Sequence, residues 1–336
     1  MTMRVRAAET GDILAISTLL LEDARTREAL NPPLWAIAPD AAARVMASLE
    51  TISNPFTGPI RHHWIVAEEN GAILAVAHAA NVPPPPIIDL AGATAGVLLD
   101  DCHFAADADI SSALLQSAEQ VLADAGAILF VAATPKDWTT RTSFLAAAGY
   151  ETTTLYMAKT GFLTDRVSGT ARLATDADIE GIVRLSARHR AQLQIASPVF
   201  WHIHAEADAR FAGWMRTSLT LPDRAMFVSG PRDSIDGYII AQPGSPLHLP
   251  PAHDVNRIGM IDDFYAVAFE QPETESSQTG GPAVLLSAAE GAFHGKNIDT
   301  ALAICPARMT GKADFLLSHG YTVANLWMVK TKRLRS

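Results

Sequence analysis

The chain has 336 residues, of which 49% are apolar, and this is enough for about two domains with sizeable cores. Its formal net charge of −10 disfavours binding to nucleic acid or to anionic membranes, and its two cysteines exclude a disulfide framework and a cysteine-based zinc site. No apolar run reaches membrane-spanning length, and the opening residues MTMRVRAAETGD lack the apolar stretch of a signal peptide, so we expect a cytoplasmic protein. The sequence does not determine its oligomeric state.

The first predicted elements are a strand that carries Arg6 and a helix that begins near Asp12, where a carboxylate stabilises the free N–H groups of the first turn. A second helix follows Trp35. Two apolar strands, HWIVAEE and ILAVAHA, come next, and the prolines at 83–86 separate them from a strand that ends in an Asp-Asp pair at 100–101. These segments predict a sheet flanked by helices.

A third helix, a short strand ending at Pro135, a last helix that stops at Gly149 and the strand TTTLYMAK complete the series. The same order of elements then recurs from Arg172 to the end of the chain. The recurrence includes a helix start at Asp178 and a helix stop at Gly320. A series of elements that occurs twice indicates an internal repeat.

The two series are also similar residue by residue. The segment RAAETGDILAISTL, which begins at Arg6, matches RLATDADIEGIVRL, which begins at Arg172, at six positions. FLAAAGYETTTLYMAKT, from Phe144, matches FLLSHGYTVANLWMVKT, from Phe315, at 8 of 17 positions, where average composition gives roughly one. We infer two tandem copies of one α/β unit that join near residues 160–170.

The two copies differ in charge. Residues 1–165 hold 9 Lys or Arg against 19 Asp or Glu, whereas residues 166–336 hold 17 of each and are neutral overall. Domains at 1–165 and 166–336 are therefore predicted to have different tasks.

The order of elements resembles the GNAT superfamily of acyl-CoA N-acyltransferases. The opening pattern R-x-A-x-x-x-D-I-x-x-I and the closing pattern F-L-x-x-x-G-Y are similar to the family's first strand and helix and to its last helix. The resemblance implies an α/β fold, α+β by some schemes, with two tandem GNAT-like units, each a central mixed β-sheet flanked by helices. It also implies that the fourth and fifth strands of each unit splay apart.

The segment QTGGPA at 278–283 stands where the family has its pyrophosphate loop, Q/R-x-x-G-x-G/A. Glycine lets the backbone approach a phosphate, and a helix start offers free N–H donors. The resemblance therefore implies that acetyl-CoA is a cosubstrate and that this loop binds it through Gln278, Thr279, Gly280, Gly281 and Ala283. Pro282 departs from the pattern because it removes one N–H donor. The acidic residues of the preceding loop, Glu270, Glu273 and Glu275, would repel a pyrophosphate if they pointed inward.

The resemblance implies direct attack of a primary amine on the thioester, without a metal. In the region Tyr265 to Ala268, the backbone at Val267 and Ala268 is implied to polarise the thioester carbonyl. Asp262 and Asp263 are the candidate bases, and because neighbouring residues of a strand point to opposite faces, only one is expected to reach the cleft.

Other observations weaken the catalytic interpretation. The Asp pair recurs at 100–101, so a structural role is an equal alternative. Leu316 stands where the family often has a Tyr acid, which leaves Tyr265, or no acid, to protonate the thiolate. The Asn that usually follows the fifth strand in the family is absent around CPARMTGKAD, and Cys305, at the end of that strand, is interpreted as a buried small hydrophobe.

The first half lacks the glycine loop. Asp109, Ile110, Ser111 and Ser112 occupy the matching place and put a carboxylate where a phosphate would lie, which predicts that residues 1–165 are a degenerate copy. Two functions stay open. One is an N-acetyltransferase that acts on an amine of an unknown small molecule or peptide, with its active site in residues 166–336. The alternative is a catalytically inactive tandem GNAT-like protein that binds a ligand or a partner.

Overall fold

The chain folds around one continuous mixed β-sheet with helices on both faces. The computed structural model describes residues 3–162, 171–245, 249–270 and 280–331, and within these residues there are 13 strands and eight α-helices. The first half contains β1 Met3–Ala7, α1 Ile13–Leu30, α2 Ala41–Leu49, β2 Phe56–Thr57, β3 Ile60–Glu69, β4 Ala72–Val82, β5 Thr94–Leu98, α3 Ala108–Asp124, β6 Ala127–Pro135, α4 Thr139–Ala147 and β7 Glu151–Thr160. The second half contains β8 Arg172–Leu173, α5 Ile179–Ala196, α6 Ala207–Leu219, β9 Ala225–Ser229, β10 Gly237–Pro243, β11 Ile258–Ala266, α7 Gly281–His294, β12 Thr300–Pro306, α8 Thr310–Ser318 and β13 Thr322–Thr331.

Each half opens with an Arg–Asp ion pair that fixes the start of its first helix. Arg6 Nη1 lies 2.7 Å from Asp12 Oδ2, and Arg172 Nη1 lies 2.7 Å from Asp178 Oδ2. Each carboxylate also accepts a hydrogen bond from the backbone N–H three residues earlier, which closes a capping box. The helix starts predicted near Asp12 and Asp178 are therefore confirmed.

The last strands of the two halves are exchanged. The sheet order is β1-β3-β4-β5-β6-β13-β7-β12-β11-β10-β9-β8, with β2 paired to β3. The last strand of the chain, β13, pairs with β6 of the first half, and β7 of the first half pairs with β12 of the second. Because β7 and β13 also pair with each other, the sheets of the two units join into one. The sheet is symmetric with respect to the repeat. Read inward from β8, the order β8-β9-β10-β11-β12-β7 has the same elements as β1-β3-β4-β5-β6-β13 read inward from β1, each strand lying at the place of its repeat counterpart.

The parallel strands β11 and β12 form hydrogen bonds only over their first residues. Residues 258–261 pair with residues 300–303, and both strands then continue without pairing to each other, to Ala266 and Pro306. The predicted splay between fourth and fifth strands is thus present in the second half. It leaves a gap in the sheet at the C-terminal ends of these two strands.

Helices from both halves pack on each face of the sheet. Helices α3, α4, α7 and α8 bury their apolar sides against one face, and α1, α2, α5 and α6 against the other. The loops before β5 and β11 each form an isolated β-bridge with the other half. That of the first half bridges to the second through Ile88 and Ile203, and that of the second bridges to the first through His253 and Ile37.

No helix in the described segments is long and apolar enough to cross a membrane. The domain boundary predicted at 165/166 falls among residues 163–170, which lie outside the described residues, and it stays a prediction.

Candidate active site

A β-bulge in the middle of β11 shapes the candidate site. In the pairing of β10 with β11, Ile240 lies opposite Asp263 and Ala241 lies opposite Ile261, so Asp262 is an extra residue on β11. A bulge interrupts the regular alternation of side chains and changes the direction in which they point. It lies just past the last residue of β11 that pairs with β12.

The bulge turns both aspartates to the same face of the sheet. Asp262 Oδ2 accepts a hydrogen bond of 3.4 Å from Gln242 Nε2, and Asp263 Oδ2 accepts one of 2.7 Å from the Tyr238 hydroxyl. Gln242 and Tyr238 are four residues apart on β10 and therefore project from one face. The prediction that Asp262 and Asp263 point to opposite faces was wrong, because it assumed regular alternation.

Asp263 lies against a buried histidine of α5. His189 Nδ1 is 3.3 Å from Asp263 Oδ1, and the imidazole stacks on Tyr265 with ring centroids 5.1 Å apart. Burial lowers the pKa of His189, which keeps the ring neutral near pH 7, and Asp263 favours the tautomer with the proton on Nδ1. Nε2 is buried and has no hydrogen-bond partner among the described residues. Its lone pair can therefore accept a proton from a bound group.

The two aspartates have opposite electrostatic environments. Burial, together with the charge of Asp263, raises the pKa of Asp262 to about 6. Burial also acts to raise the pKa of Asp263, but the interactions with His189 and Tyr238 outweigh it and leave this pKa below its usual value. Neighbouring carboxyl groups whose pKa values diverge are typical of sites that separate acid and base roles.

Tyr265, the predicted acid, is turned toward a carboxylate. Its side chain is fully buried, and its hydroxyl donates a hydrogen bond to Glu270, which also pairs with Arg188. Burial and this hydrogen bond raise the pKa of Tyr265. Glu270 thus has two partners; Glu273 and Glu275 lie outside the described residues.

The strand end predicted to polarise a thioester continues into a 3-10 turn at Val267–Glu270. The Val267 N–H donates a hydrogen bond of 2.9 Å to the Asp236 carbonyl, so this donor already has a partner. Ala268 lies in the same turn. The role predicted for these two residues stays a prediction.

Two of the predicted coenzyme residues form the start of α7. Gly280 precedes the helix with an extended backbone and Gly281 is its first residue, and among the described residues no side chain caps this start. Ala283 is buried in the core, and its N–H donates to the Gly280 carbonyl. Gln278 and Thr279 lie outside the described residues. A helix start without its own cap fits an anionic ligand, although Pro282 removes one donor.

A neighbouring hairpin explains why glycine stands at the helix start. A side chain at Gly281 would bring Cβ to 3.1 Å from Ser229 Oγ and 3.3 Å from Asp236 Oδ1. Ser229 Oγ donates a hydrogen bond of 2.6 Å to this same carboxylate oxygen. Asp236 is exposed beside the start of α7, where its charge opposes the attraction of the helix for a phosphate.

The matching helix of the first half has its own cap. The Asp107 side chain accepts hydrogen bonds from the N–H groups of Asp109, at 2.8 Å, and Ile110, at 3.3 Å. A carboxylate of the chain thus occupies the position that an anion would take at this helix start. Asp107 supplies this charge, one residue before α3 begins.

Two cations at matching positions each bind the carbonyl of the residue that follows the Asp-Asp pair of their half. Lys312 of α8 has 1% exposure, and its Nζ donates a hydrogen bond of 2.8 Å to the Phe264 carbonyl. Arg141 of α4 is buried, and its Nη1 donates one of 3.3 Å to the Cys102 carbonyl. Lys312 and Arg141 each stand three residues before the Phe-Leu pair of the repeat, so they are counterparts.

The first half fills its counterpart of the site with charged and aromatic side chains. Arg27 has 1% exposure, and its Nη2 donates a hydrogen bond of 2.5 Å to the Asp100 carbonyl. Its guanidinium lies between Trp35 and Trp138, at 5.6 Å and 5.5 Å from their ring centroids. Asp100 is the repeat counterpart of Asp262, so an arginine packs where the second half presents its carboxylate.

Cys305 is fully buried, and burial raises the pKa of its thiol to about 11, which fits a small apolar residue better than a nucleophile. Over the parts of the chain that the structure describes, no group of three or more His, Cys, Asp or Glu residues is placed to hold a metal ion.

His189 and Lys312 were not predicted from the sequence. His189 lies in an ordinary helical pattern, and only the fold brings it to Asp263. The sequence did contain a signal for Lys312, because both halves have a cationic residue at this position of the repeat.

Solved structures of similar architecture cover nearly the whole chain. A tandem GNAT protein from the clavulanic acid biosynthesis pathway matches with a TM-score of 0.50 and 12% identity, over 98% of this chain and 97% of that one. The chain has a tandem GNAT fold. A GCN5-related N-acetyltransferase from Sphaerobacter thermophilus matches with a TM-score of 0.60 and 13% identity, over 98% and 95% of the two chains.

An acetyltransferase of the GNAT family from Colwellia psychrerythraea matches this tandem GNAT fold with a TM-score of 0.50 and 9% identity, over 98% of this chain and 100% of that one. Neither a protein-family model nor a curated protein matches the sequence. The similarity at these identities establishes the fold; function has to be inferred from the site.

Proposed function

We propose that this chain is an acyl-CoA-dependent N-acyltransferase, which transfers an acetyl group from acetyl-CoA to an amine of a small molecule or peptide in residues 166–336. The observation that carries this proposal is the buried His189 beside the splayed end of β11, held by Asp263 and with no hydrogen-bond partner for Nε2 among the described residues. A neutral imidazole in such a position is suited to general base catalysis.

The acceptor amine arrives as an ammonium ion and must lose a proton before it can attack. His189 Nε2 takes that proton, and the Asp263 carboxylate stabilises the imidazolium that forms. The amine nitrogen then forms a bond to the thioester carbon, and the carbon–sulfur bond breaks. The charges of Asp262 and Asp263 favour a cationic acceptor at this end of β11.

The start of α7 supports binding of the phosphates of acetyl-CoA. Gly280 and Gly281 have no side chain that could cap the helix start, and no other described residue caps it, whereas the first half closes its matching helix with Asp107. This difference favours the second half as the half that binds the coenzyme. Asp236, beside Gly281, is expected to weaken that affinity.

A second candidate function is a ligand-binding module without catalysis. Asp236 lies beside the start of α7, and its negative charge opposes binding of the coenzyme's phosphates there. The absence of the Tyr at Leu316 favours the same candidate.

Calorimetry with acetyl-CoA and a thiol-release assay with a panel of primary amines separate the two candidates. We expect the wild-type chain to bind acetyl-CoA and to release thiol with at least one amine. His189→Gln and Asp263→Asn should then reduce turnover by about 100-fold or more. Binding of acetyl-CoA without thiol release for any amine would leave the binding module as the function.

His78→Gln is the matched control, because the first half also contains a buried His–Asp pair. His78 Nδ1 lies 2.8 Å from Asp101, the repeat counterpart of Asp263. With the reaction in the second half, this variant should keep normal turnover at a temperature below its thermal midpoint. If His78→Gln lost turnover and His189→Gln kept it, the active half would be the first.

A further inference from the structure

The side chain of Lys312 is a buried cation that the proposed reaction has not yet used. It reaches from α8 to the splayed end of β11, where Nζ lies 2.8 Å from the Phe264 carbonyl. The side chain has 1% exposure, and the ammonium lies 5.5 Å from the centroid of the Phe264 ring. One carbonyl uses only one of the three N–H donors of an ammonium group.

The position of Lys312 on its helix compensates for a residue that the chain lacks. Leu316 is one helical turn after Lys312 on α8, so the two side chains project from the same side of that helix. Leu316 stands at the position where the family resemblance implies a Tyr acid, so the chain has no acid there. Lys312 places an acidic N–H group one helical turn earlier. Leu316 and Cys305 are fully buried in the core cluster beneath the splayed strands, so Lys312 brings a proton donor to the edge of this apolar cluster.

The first half has a matched cation that cannot lose its proton. Arg141 binds the Cys102 carbonyl as Lys312 binds the Phe264 carbonyl. A guanidinium can donate a hydrogen bond but stays protonated in proteins, whereas a buried lysine can transfer its proton. The two halves therefore share the contact and differ in the proton chemistry that it allows.

We propose that Lys312 is the catalytic acid that protonates the departing thiolate of the acyl donor; this inference rests on the proposed function. When the carbon–nitrogen bond has formed, the carbon–sulfur bond breaks and its electron pair goes to sulfur. The Lys312 ammonium gives a proton to that sulfur and becomes a neutral amine. The amine then regains a proton from solvent, while His189 releases to solvent the proton taken from the acceptor, so free thiol and amide are the products.

The charged and titratable groups around Lys312 set its proton affinity. Burial lowers the pKa of Lys312, and its interactions with Cys305, Asp263 and Asp262 act in the opposite direction. These groups come from β11 and β12, and His189 of α5 also feels the charge of Lys312. An ammonium of lowered pKa gives up its proton to a thiolate more readily than an ordinary lysine.

Lys312→Arg tests the proposal, because it copies the first half at this position. It keeps the charge and the carbonyl contact but cannot deliver a proton. With an alkyl thioester such as acetyl-CoA, turnover should fall about 10- to 100-fold. With an aryl thioester of acetate, whose thiolate leaves without protonation, Lys312→Arg and the wild-type chain should differ by less than about twofold.

The pH dependence gives a second readout. A catalytic acid acts only below its pKa, so wild-type turnover of the alkyl thioester should fall at high pH as Lys312 deprotonates. This alkaline limb should begin below the ordinary lysine value of 10.5, because the pKa of Lys312 is lowered, and it should be absent in Lys312→Arg. Arg141→Lys in the first half is the control, with unchanged rates for both thioesters.

The outcomes separate this inference from the proposed function. An equal loss with alkyl and aryl thioesters, or no loss with either, overturns the role of Lys312 while the acyltransferase stands. Should Lys312→Arg fail to fold, as judged by its thermal midpoint, Lys312→Gln goes through the same thioester comparison. No thiol release from acetyl-CoA by the wild-type chain overturns both.

Discussion

Lys330 Nζ lies 2.7 Å from Glu119 Oε2, and this ion pair joins the last strand of the chain to a helix of its first half. The hydroxyl of Tyr150 donates a second hydrogen bond to Glu119 at 3.0 Å. The other half repeats the arrangement, with Lys159 Nζ 2.8 Å from Glu290 Oε1 and the Tyr321 hydroxyl at 3.1 Å from the same oxygen.

Each of the two ion pairs joins an exchanged strand to a helix of the other half, and the pairs should therefore contribute to the stability of the fold. Lys330→Met leaves Glu119, with 13% exposure, as a partly buried charge without its cation. We expect the free energy of unfolding to fall by about 1–3 kcal/mol, measured by urea denaturation. The mirrored change Lys159→Met should cost at least as much, because Glu290 has only 9% exposure.

Glu119→Gln combined with Lys330→Met is the control for this prediction. The double variant leaves no unpaired charge, so it should be more stable than Lys330→Met alone. If both single variants unfold at the wild-type urea concentration, the pairs make no net contribution.

Asp262 should lower the stability of the folded chain at neutral pH. Its pKa is about 6 in the fold, against 3.8 for an ordinary aspartate, so folding favours the protonated form. The resulting cost is complete above pH 6 and disappears as the pH falls toward 4. Asp262→Asn should therefore raise the free energy of unfolding by about 1–3 kcal/mol at pH 8 and by less at pH 5, measured by urea denaturation.

Asp263→Asn is the matched variant of opposite sign. The pKa of Asp263 is lowered in the fold, so its charge stabilises the folded state at pH values above the ordinary aspartate range. This variant should be less stable than the wild-type chain at pH 8. Equal effects of the two substitutions at pH 8 would contradict the environments assigned to Asp262 and Asp263.

Gly281→Asp should weaken binding of acetyl-CoA at least about tenfold, because it adds a second carboxylate beside Asp236 at the start of α7. The thermal midpoint should also fall, because the new Cβ would lie 3.1 Å from Ser229 Oγ and 3.3 Å from Asp236 Oδ1, so binding is measured well below that midpoint. Isothermal calorimetry and a thermal melt measure the two effects.

Ala108→Asp in the first half is the matched change for Gly281→Asp. Ala108 is the first residue of α3 and is exposed, and the start of that helix is already capped by Asp107. Binding of acetyl-CoA should be unaffected. A loss of binding in Ala108→Asp, with normal binding in Gly281→Asp, would place the coenzyme in the first half.

The pH profile of turnover should report His189 as the base. Burial lowers its pKa, so the imidazole is neutral and able to accept a proton at pH 7 and above. The rate should therefore fall only below the ordinary histidine value of about 6.5. His189→Gln should lose this acidic limb together with about 100-fold or more of the rate. A limb that persists in His189→Gln would belong to another group.

The sequence by itself determined the repeat, the elements and their order. Local physics explains this, because the Arg–Asp caps, the glycine stops and the apolar strands each act within a few residues. The capping boxes at Asp12 and Asp178 lie where the pattern predicted them. The Asp-Asp pair and Gly281 were also found from the sequence, since strand ends and helix starts are local features.

The tertiary structure alone decided which strand pairs with which and which side chains meet. The two closing strands, LYMAKT and LWMVKT, are so similar that either could pair with β6 or β12, and only the complete packing selects the exchanged arrangement. The bulge at Asp262 depends on the register with β10, so no local pattern showed that both aspartates share a face. His189 and Lys312 reach β11 from helices far apart in sequence, and a contact of this kind is fixed by packing across the sheet rather than by the sequence around either residue.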